Sequence, residues 1–454
     1  MAATFLTQPA SASFNSAYNP VVLIVGANDT YVGGACQIVY ADVYFNNFYF
    51  GTLSSSVYRG TVGPYYVYYF DIEDKCQEYL RSELVAGVGA SQNNGLLRLH
   101  STNCKVKIRE TYVDSNGFVA SAYGAPIAGT MYTDPVDGGG LESNSFTIFN
   151  TRLKQEDSTT LLTHLKKYTP AWYLGGAFDT GWNLSHRPNN IPAYNAKIGA
   201  GKYWVGYNDH DIFSFATTLN LSTLVGFSCQ VIINYLDGST GTQNKSLSTW
   251  PTPFPASSYG SRSYYANCGI VNLKLIYTAL TWTKIDYYTV YFYAPFQDLA
   301  TQRYYVKNDG SKNERVRLLF CGLLGGYDGI NFLLNTETSS AESALFQRSM
   351  DIVSPSDYSK RERSIGRFQP MQSEVIEVFT EDYGEEDQAW LKEVVGSAQA
   401  YIQVAPDSLQ GQTELFFPVN ILDGSIVSKK KEDSFVYTLT LKFTLGYDYI
   451  NLRS

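Results

Sequence analysis

Val375-Ile376-Glu377-Val378-Phe379 opens the stretch from Ser373 to Leu445 that decides how this chain is built, and it reads as a strand. An acidic turn follows, Thr380-Glu381-Asp382-Tyr383-Gly384-Glu385-Glu386-Asp387. Then comes Gln388-Ala389-Trp390-Leu391-Lys392-Glu393-Val394-Val395-Gly396, in which Leu391, Val394, Val395 and Ala398 fall at i, i+3, i+4 and i+7. That spacing predicts one face of a helix, and the carboxylates ahead of it complement the positive end of its dipole. Gly396 weakens the helix near its end. Tyr401-Ile402-Gln403-Val404 reads as a strand, and Leu415 to Leu422 as another that meets Asp423-Gly424, a two-residue hairpin signal. In the last strand Phe435, Tyr437, Leu439, Leu441, Phe443 and Leu445 share one face. Val436, Thr438, Thr440, Lys442 and Thr444 share the other. One face is therefore apolar and one mostly wet. The module is a sheet carrying one short helix, and the helix is expected to lie on the sheet because neither apolar face can stay in water.

Working outward, the composition points the same way. Of 454 residues, 37 are Tyr and 25 Phe, and only 17% are charged. Tyrosine and phenylalanine favour strands, so the chain is expected to be mainly β, built of several sandwich-like modules. The length allows three or four domains. The expected division is an N-terminal sandwich-like domain, 1–112, and an irregular β domain with long aromatic loops, 113–265. A β domain, 266–360, and the sheet-plus-helix module, 361–454, follow. A short charged linker, Lys360 to Arg367, leads into the last.

Within the first domain, Pro20 to Val25 and Cys36 to Phe45 read as strands, the second with Val39, Ala41, Val43 and Phe45 on one side. Asn46-Asn47 turns the chain into Phe48-Tyr49-Phe50. Tyr65 to Phe70 is a strand, and Asp71 is placed to cap a short helix, Ile72 to Ser82. Leu97 to His100 and Val106 to Glu110 close the domain. Beyond it, Val136 to Gly140 reads as a turn, Phe146 to Asn150 as a strand and Lys154 to Lys167 as a stretch with a helical turn or two. Pro188 to Ala196 and Ser248 to Arg262 read as surface loops. Phe213 to Leu221 and Val225 to Tyr235 read as strands, with Asp237-Gly238 as a second hairpin signal. Ile270 to Tyr277 alternates weakly, and Tyr287 to Phe296, Tyr304 to Val306 and Arg315 to Phe320 are strand-like. Leu323 to Gly329 forms a glycine-rich corner, which Ile330 to Leu334 leaves.

The net charge is −8, with no basic tract beyond Lys429-Lys430-Lys431, which argues against gripping nucleic acid by its phosphates. The six cysteines, Cys36, Cys76, Cys104, Cys229, Cys268 and Cys321, are widely spaced without a CxxC pair, so a zinc knuckle is not expected. The start has no basic stretch followed by an apolar core, and no secretory signal is expected. The cysteines are read as reduced and mostly buried. No apolar run approaches the roughly 20 residues of a membrane helix.

Chemistry-bearing motifs are sparse. Gly199-Ala200-Gly201-Lys202 lacks the first Gly and the trailing Ser or Thr of a phosphate loop. Asp209-His210-Asp211 is read as a polar turn, because adjacent strand residues point to opposite faces and no second His lies nearby. There is no Gly-x-Ser-x-Gly elbow. Cys321 reads as a buried strand end. No catalytic residue, cofactor or metal is expected. Aromatic residues of the loops 186–210 and 250–265, with Trp182, Trp204, Trp250 and Tyr264 as candidates, suit either protein interfaces or stacking on sugar, and the interface reading is preferred.

Five segments in order resemble a family of tail or baseplate structural proteins of phages and prophages of Bacteroidetes bacteria. They are Gln8-Pro9 with Phe14 to Val21; Tyr40 to Tyr44 running on to Tyr69 to Ile72; Phe146 to Asn150; Arg315 to Phe320 with Gly325 to Asp328; and Trp390 to Ser397. The chain departs from that pattern at Cys321-Gly322, where the family has an Asn-type turn, and in its long aromatic insertions. The resemblance implies a non-catalytic virion protein whose C-terminal sheet-plus-helix is similar to tail-tube and distal-tail folds. It implies a virion-tail location, assembly in the host cytoplasm, and as partners other copies of itself and other tail proteins. No sequence-specific nucleic acid and no membrane insertion are expected. Closed rings fit the residues, because exposed strand edges and tyrosine-rich loops become contacts once a cyclic oligomer covers them. The competing reading is a carbohydrate-binding adhesin or receptor-binding protein, with a host surface glycan as partner. A polysaccharide-degrading enzyme would need a carboxylate pair that the sequence does not display.

Overall fold

A computed structural model describes residues 4–10, 14–28, 37–55, 61–62, 65–80, 101–113, 119–121, 141–152, 181–183, 185–188, 202–217, 228–246, 263–294, 297–307, 315–347, 365–403, 416–431 and 434–445. The fold is mainly β. The chain divides into two compact units, one of residues 1–309 with 321–328, the other of 310–320 with 329–454.

The first unit begins with a two-sheet sandwich. Its strands are β1 (Thr4–Thr7), β2 (Phe14–Ser16), β3 (Val22–Asn28), β4 (Gln37–Phe45), β5 (Phe48–Ser55), β6 (Thr61–Val62), β7 (Tyr65–Asp71), β8 (Ser101–Val113), β9 (Val119–Ser121), β10 (Leu141–Glu142) and β11 (Phe146–Phe149). One sheet runs β1-β3-β7-β6 and the other β2-β11-β8-β4-β5, with β9 and β10 on β8. Val39, Ala41, Val43 and Phe45 are fully buried, as their alternation predicts, against Leu23, Val25, Tyr68 and Phe70 of the facing sheet. The β4–β5 hairpin turns at Asn46 and Asn47, both with positive φ, which is the demand of a type I′ turn. The predicted short helix runs Glu73–Tyr79. Asp71 does not cap it directly; its Oδ1 accepts from Glu73 N and Val21 N, both at 3.0 Å, tying the helix start to β3. Tyr79 stacks on Phe45 at 4.3 Å, so the helix seals one end of the core.

A second pair of sheets follows in the same unit. Its strands are β12 (Gly181–Asn183), β13 (Trp204–Gly206), β14 (Ile212–Thr217), β15 (Ser228–Tyr235), β16 (Thr240–Ser246), β17 (Ser263–Asn267), β18 (Ile285–Ala294) and β19 (Gln297–Lys307). They form β12-β14-β17 and β13-β19-β18-β15-β16. Phe213 and Phe215 of β14 meet Phe292 of β18 at 5.7 and 5.1 Å, fixing the two sheets face to face. Asp237-Gly238 forms the predicted hairpin turn between β15 and β16. Ile270 to Tyr277 corrects the sequence reading: it is a helix, Ile270–Ile276, not an alternating strand. Ile270 and Leu273 of the helix and Tyr277 just after it, at i, i+3 and i+7, are buried hydrophobics, and Asn272 is buried beside them.

The second unit is a closed six-stranded barrel. Its strands are β20 (Arg315–Cys321), β21 (Tyr327–Gln347), β22 (Ile365–Phe379), β23 (Ala400–Gln403), β24 (Phe416–Lys431) and β25 (Ser434–Leu445), in the order β20-β21-β22-β25-β24-β23. Tyr437, Leu439, Leu441 and Phe443 are buried as predicted, while Phe435 at the strand end is exposed. The helix runs Gln388–Val395 behind a short 3-10 turn, Glu385–Asp387. Its buried face is Trp390, Leu391, Glu393 and Val394; Val395 is half-buried, and Ala398 lies exposed beyond the helix end. The buried face is therefore turned toward Trp390, whose ring meets Phe320 at 5.9 Å and Tyr383 at 5.8 Å.

Two further sequence readings are corrected here. Asp423-Gly424 is no hairpin turn: β24 runs through it, with a bulge between Ile421 and Asp423, and the chain reverses after Lys431. The linker reading of 360–367 fails over Ile365 to Arg367, which are already strand, paired with Gln347, Phe346 and Leu345. Residues 360–364 lie outside the described residues. So do the expected strand at 97–100, the turn at 136–140, the helical turns at 154–167, the surface loops at 189–196 and 248–262, and the glycine pair at 199–201.

Candidate functional sites

The five-stranded sheet of the first unit carries an aromatic row on one face. β13 pairs parallel with β19, which pairs antiparallel with β18, and the register sets Trp204 beside Tyr305 and Tyr305 beside Tyr287. Trp204 and Tyr305 lie 5.7 Å apart by ring centroid, and Tyr305 and Tyr287 5.5 Å. Three cations lie over these rings. Lys202 Nζ is 5.5 Å from Trp204 and 4.9 Å from Tyr305, Lys307 Nζ is 5.6 Å from Trp204, and Arg303 Cζ is 4.6 Å from Tyr287. Arg303 and Lys307 stand two residues either side of Tyr305, and the two-residue period of a strand puts all three on one face. The other face is core: Tyr304 and Tyr288 stack at 4.8 Å, fully buried, and burial pushes the Tyr304 hydroxyl well up from its ordinary value. Trp204, Tyr287, Arg303 and Lys307 are half-buried and Lys202 is exposed, while the central ring of the row, Tyr305, is buried.

A buried ionic node lies elsewhere in the same unit. Arg187 donates from Nη1 to Asp211 at 2.6 Å and from Nε to Asp328 at 2.9 Å. Its Nη2 reaches the carbonyls of Ile212 and Tyr327 at 2.5 and 2.9 Å. Ser185 Oγ donates to Asp328 at 2.7 Å and Tyr203 OH to Asp211 at 2.6 Å. Burial works against the arginine's charge, but Asp211, Tyr203 and Asp328 outweigh it, and the guanidinium pKa is raised. Four charge-assisted or carbonyl-directed contacts on a buried guanidinium make a clamp joining segments 185–187, 203–212 and 327–328. The glycine-rich corner enters through Gly325, whose φ is +83° and whose Cβ, if present, would stand 2.1 Å from Asn150 O. Only glycine fits there.

The clamp is what Asp209-His210-Asp211 does in the fold. Asp209 accepts from Gly206 N at 2.7 Å, His210 Nδ1 pairs with Asn267 Nδ2 at 2.8 Å, and Asp211 holds Arg187. The motif is polar and turn-like as read, but two of its members are buried. Among the described residues no group of His, Cys, Asp and Glu could hold a metal ion. Cys76, Cys104, Cys229, Cys268 and Cys321 are free and buried, Cys321 at the end of β20 as predicted. No helix among the described residues is long and apolar enough to cross a membrane.

Three of the four candidate aromatics lie on described strands, which belong to two different sheets. Trp182 on β12 and Tyr264 on β17 flank β14 in the three-stranded sheet, Trp182 in register with Ala216 and Tyr264 with Phe215. Trp204 belongs to the other sheet. Trp250 lies outside the described residues. Trp204's neighbours Tyr287, Tyr305, Lys202, Arg303 and Lys307 escaped the sequence reading. No local signal marked them: the register that sets Tyr287 opposite Tyr305 depends on a bulge between Phe292 and Tyr293.

In the second unit, β21 and β22 continue past the barrel wall as a two-stranded ribbon. Leu333 to Gln347 pair with Phe379 to Ile365, yet β22 pairs with β25 only over Ile376 to Phe379. Among the described residues, 365–375 have β21 as their strand neighbour and no other. At about 3.3 Å per residue, Thr338 to Gln347 reach roughly 30 Å. The ribbon is rich in Thr and Ser, carries bulges between Leu334 and Thr336 and between Glu342 and Ala344, and sets Pro370 at the second. The β24–β25 hairpin also ends on exposed side chains, Val427, Lys429, Lys430 and Phe435.

No protein-family model matches the chain, and no curated protein matches it.

Proposed function

We propose that this chain is a structural subunit of a phage tail tip or baseplate that assembles with copies of itself and with other tail proteins. The carrying observation is the β21–β22 ribbon. A ribbon this long presents rows of backbone donors and acceptors along its outer edges, and an open edge templates pairing with another strand. Folded monomers blunt such edges by shortening, twisting or covering them. Here the bulges and Pro370 limit indiscriminate pairing, while the length keeps the edge available to a chosen partner. The barrel with one packed helix fits the expected tail-tube or distal-tail kind of module, and the five segments of family resemblance in the sequence point the same way. The proposed place of action is the virion tail, built in the host cytoplasm, with no catalysis.

The test is to replace residues 340–371 by a short Gly-Ser turn, which leaves the barrel pairings Ile376–Phe379 with β25 intact. Light scattering behind size exclusion is expected to show oligomers for the full chain and monomers for the shortened one, with equal circular dichroism per strand residue. Oligomers of the same mass from both chains would refute the ribbon as the contact.

A further inference from the structure

We infer that the row Trp204–Tyr305–Tyr287, with Lys202, Arg303 and Lys307, is a binding face for an acidic polysaccharide, one whose sugar rings carry spaced carboxylates. This goes beyond the assembly role and does not depend on it. Three observations converge. The three rings are set in one register row across three strands, so their positions are held by backbone hydrogen bonds and not by loop conformation. The ring spacings, 5.7 and 5.5 Å, lay down a strip rather than an isolated aromatic. The cations come from β19 and from the residue pair ahead of β13, and all three converge on the strip.

A row of rings alone has an ordinary structural use, since cross-strand aromatic pairs stabilise a sheet by about 0.2–1 kcal/mol each. The core face of the same strands shows what that looks like: Tyr288 and Tyr304 stack there, fully buried. The outer row differs in the partial exposure of its two end rings, its middle ring Tyr305 being buried, and in its charge. Trp204 and Tyr287 stay half-exposed and Lys202 is in solvent. An ammonium or guanidinium held over a ring keeps its outer hydrogens for a carboxylate on the sugar, and the edges of the half-exposed rings are apolar surface for the sugar's C–H groups. Three cations along the strip match a polymer with sparse carboxylates. They match a nucleic acid poorly, since its phosphates recur at every nucleotide and the chain's net charge of −8 opposes a dense polyanion.

The experiment is affinity electrophoresis of the full chain through gels containing hyaluronate, which carries a carboxylate on every second sugar, neutral dextran, or no polymer, with oligothymidylate as competitor. Retardation by hyaluronate and not by dextran is expected. K202E/K307E is expected to weaken it at least tenfold, with an unchanged urea midpoint because Lys202 is exposed and Lys307 only half-buried. W204A is expected to weaken it while keeping the cations, separating the ring's contribution from that of charge. Absence of retardation by hyaluronate, equal retardation by dextran, or full binding by K202E/K307E overturns the assignment. Competition by oligothymidylate at equal or lower concentration overturns it in favour of a nucleic-acid face. None of these outcomes bears on the mass of the assembled particle, so the two proposals fail separately.

Discussion

Arg187 is the residue on which the first unit's interior depends most. Asp211 and Asp328 have no exposure, and removing the guanidinium would leave two buried carboxylates without their cation, although Tyr203 and Ser185 would still donate to them. Breaking a buried pair by deleting one partner costs about 3–5 kcal/mol, whereas replacing the whole set by neutral groups costs far less. Arg187→Met is expected to lower the urea unfolding free energy by about that amount, and R187M/D211N/D328N to recover part of it; a neutral Arg187→Met would show the clamp to be incidental. Gly424 is the corresponding residue in the barrel. A Cβ there would meet Val395 Cγ2 at 2.8 Å and Leu441 Cδ1 at 3.2 Å, so the missing side chain is what lets the helix end settle on β24. Gly424→Val favours strand by propensity, yet it is expected to destabilise by about 1–3 kcal/mol through overpacking. Val395→Ala in the same chain should restore part of the loss, and a stabilising Gly424→Val would contradict this packing.

At the scale of elements, the long alternating strand Phe435 to Leu445, the Asn46-Asn47 turn and the helix at Gln388 were all legible, because each rests on a local period or a backbone demand. Asp-Gly shows where local reading stops. The pair at 237–238 is a turn and the pair at 423–424 is not, although both follow an apolar run. What separates them is distant: Gly424 lies under Val395, and a helix packed from outside the window selects the bulged strand. Ile270 to Tyr277 failed for a related reason. Its two apolar periods overlap in so short a run, and burial of Ile270, Leu273 and Tyr277 together favours the helical one. The Arg187 clamp was invisible because its members are separated by up to 143 residues and meet only in the fold. The ribbon, read partly as a charged linker, shows the same limit, since Ile365 to Arg367 become strand by pairing with Leu345 to Gln347.

For the whole molecule, two features have to be reconciled: aromatic-rich sheets with few charges, and a ribbon whose edges extend past the barrel. A monomer would carry both as aggregation hazards. A closed oligomer uses them, because cyclic symmetry pairs one edge with the next and leaves none over. Sedimentation velocity of the full chain over a hundredfold range of concentration tests this most directly. The account predicts one species at a fixed integer multiple of the chain mass, holding its size at the dilute end. A monomer throughout that range, or a mass rising without limit as concentration increases, would contradict it.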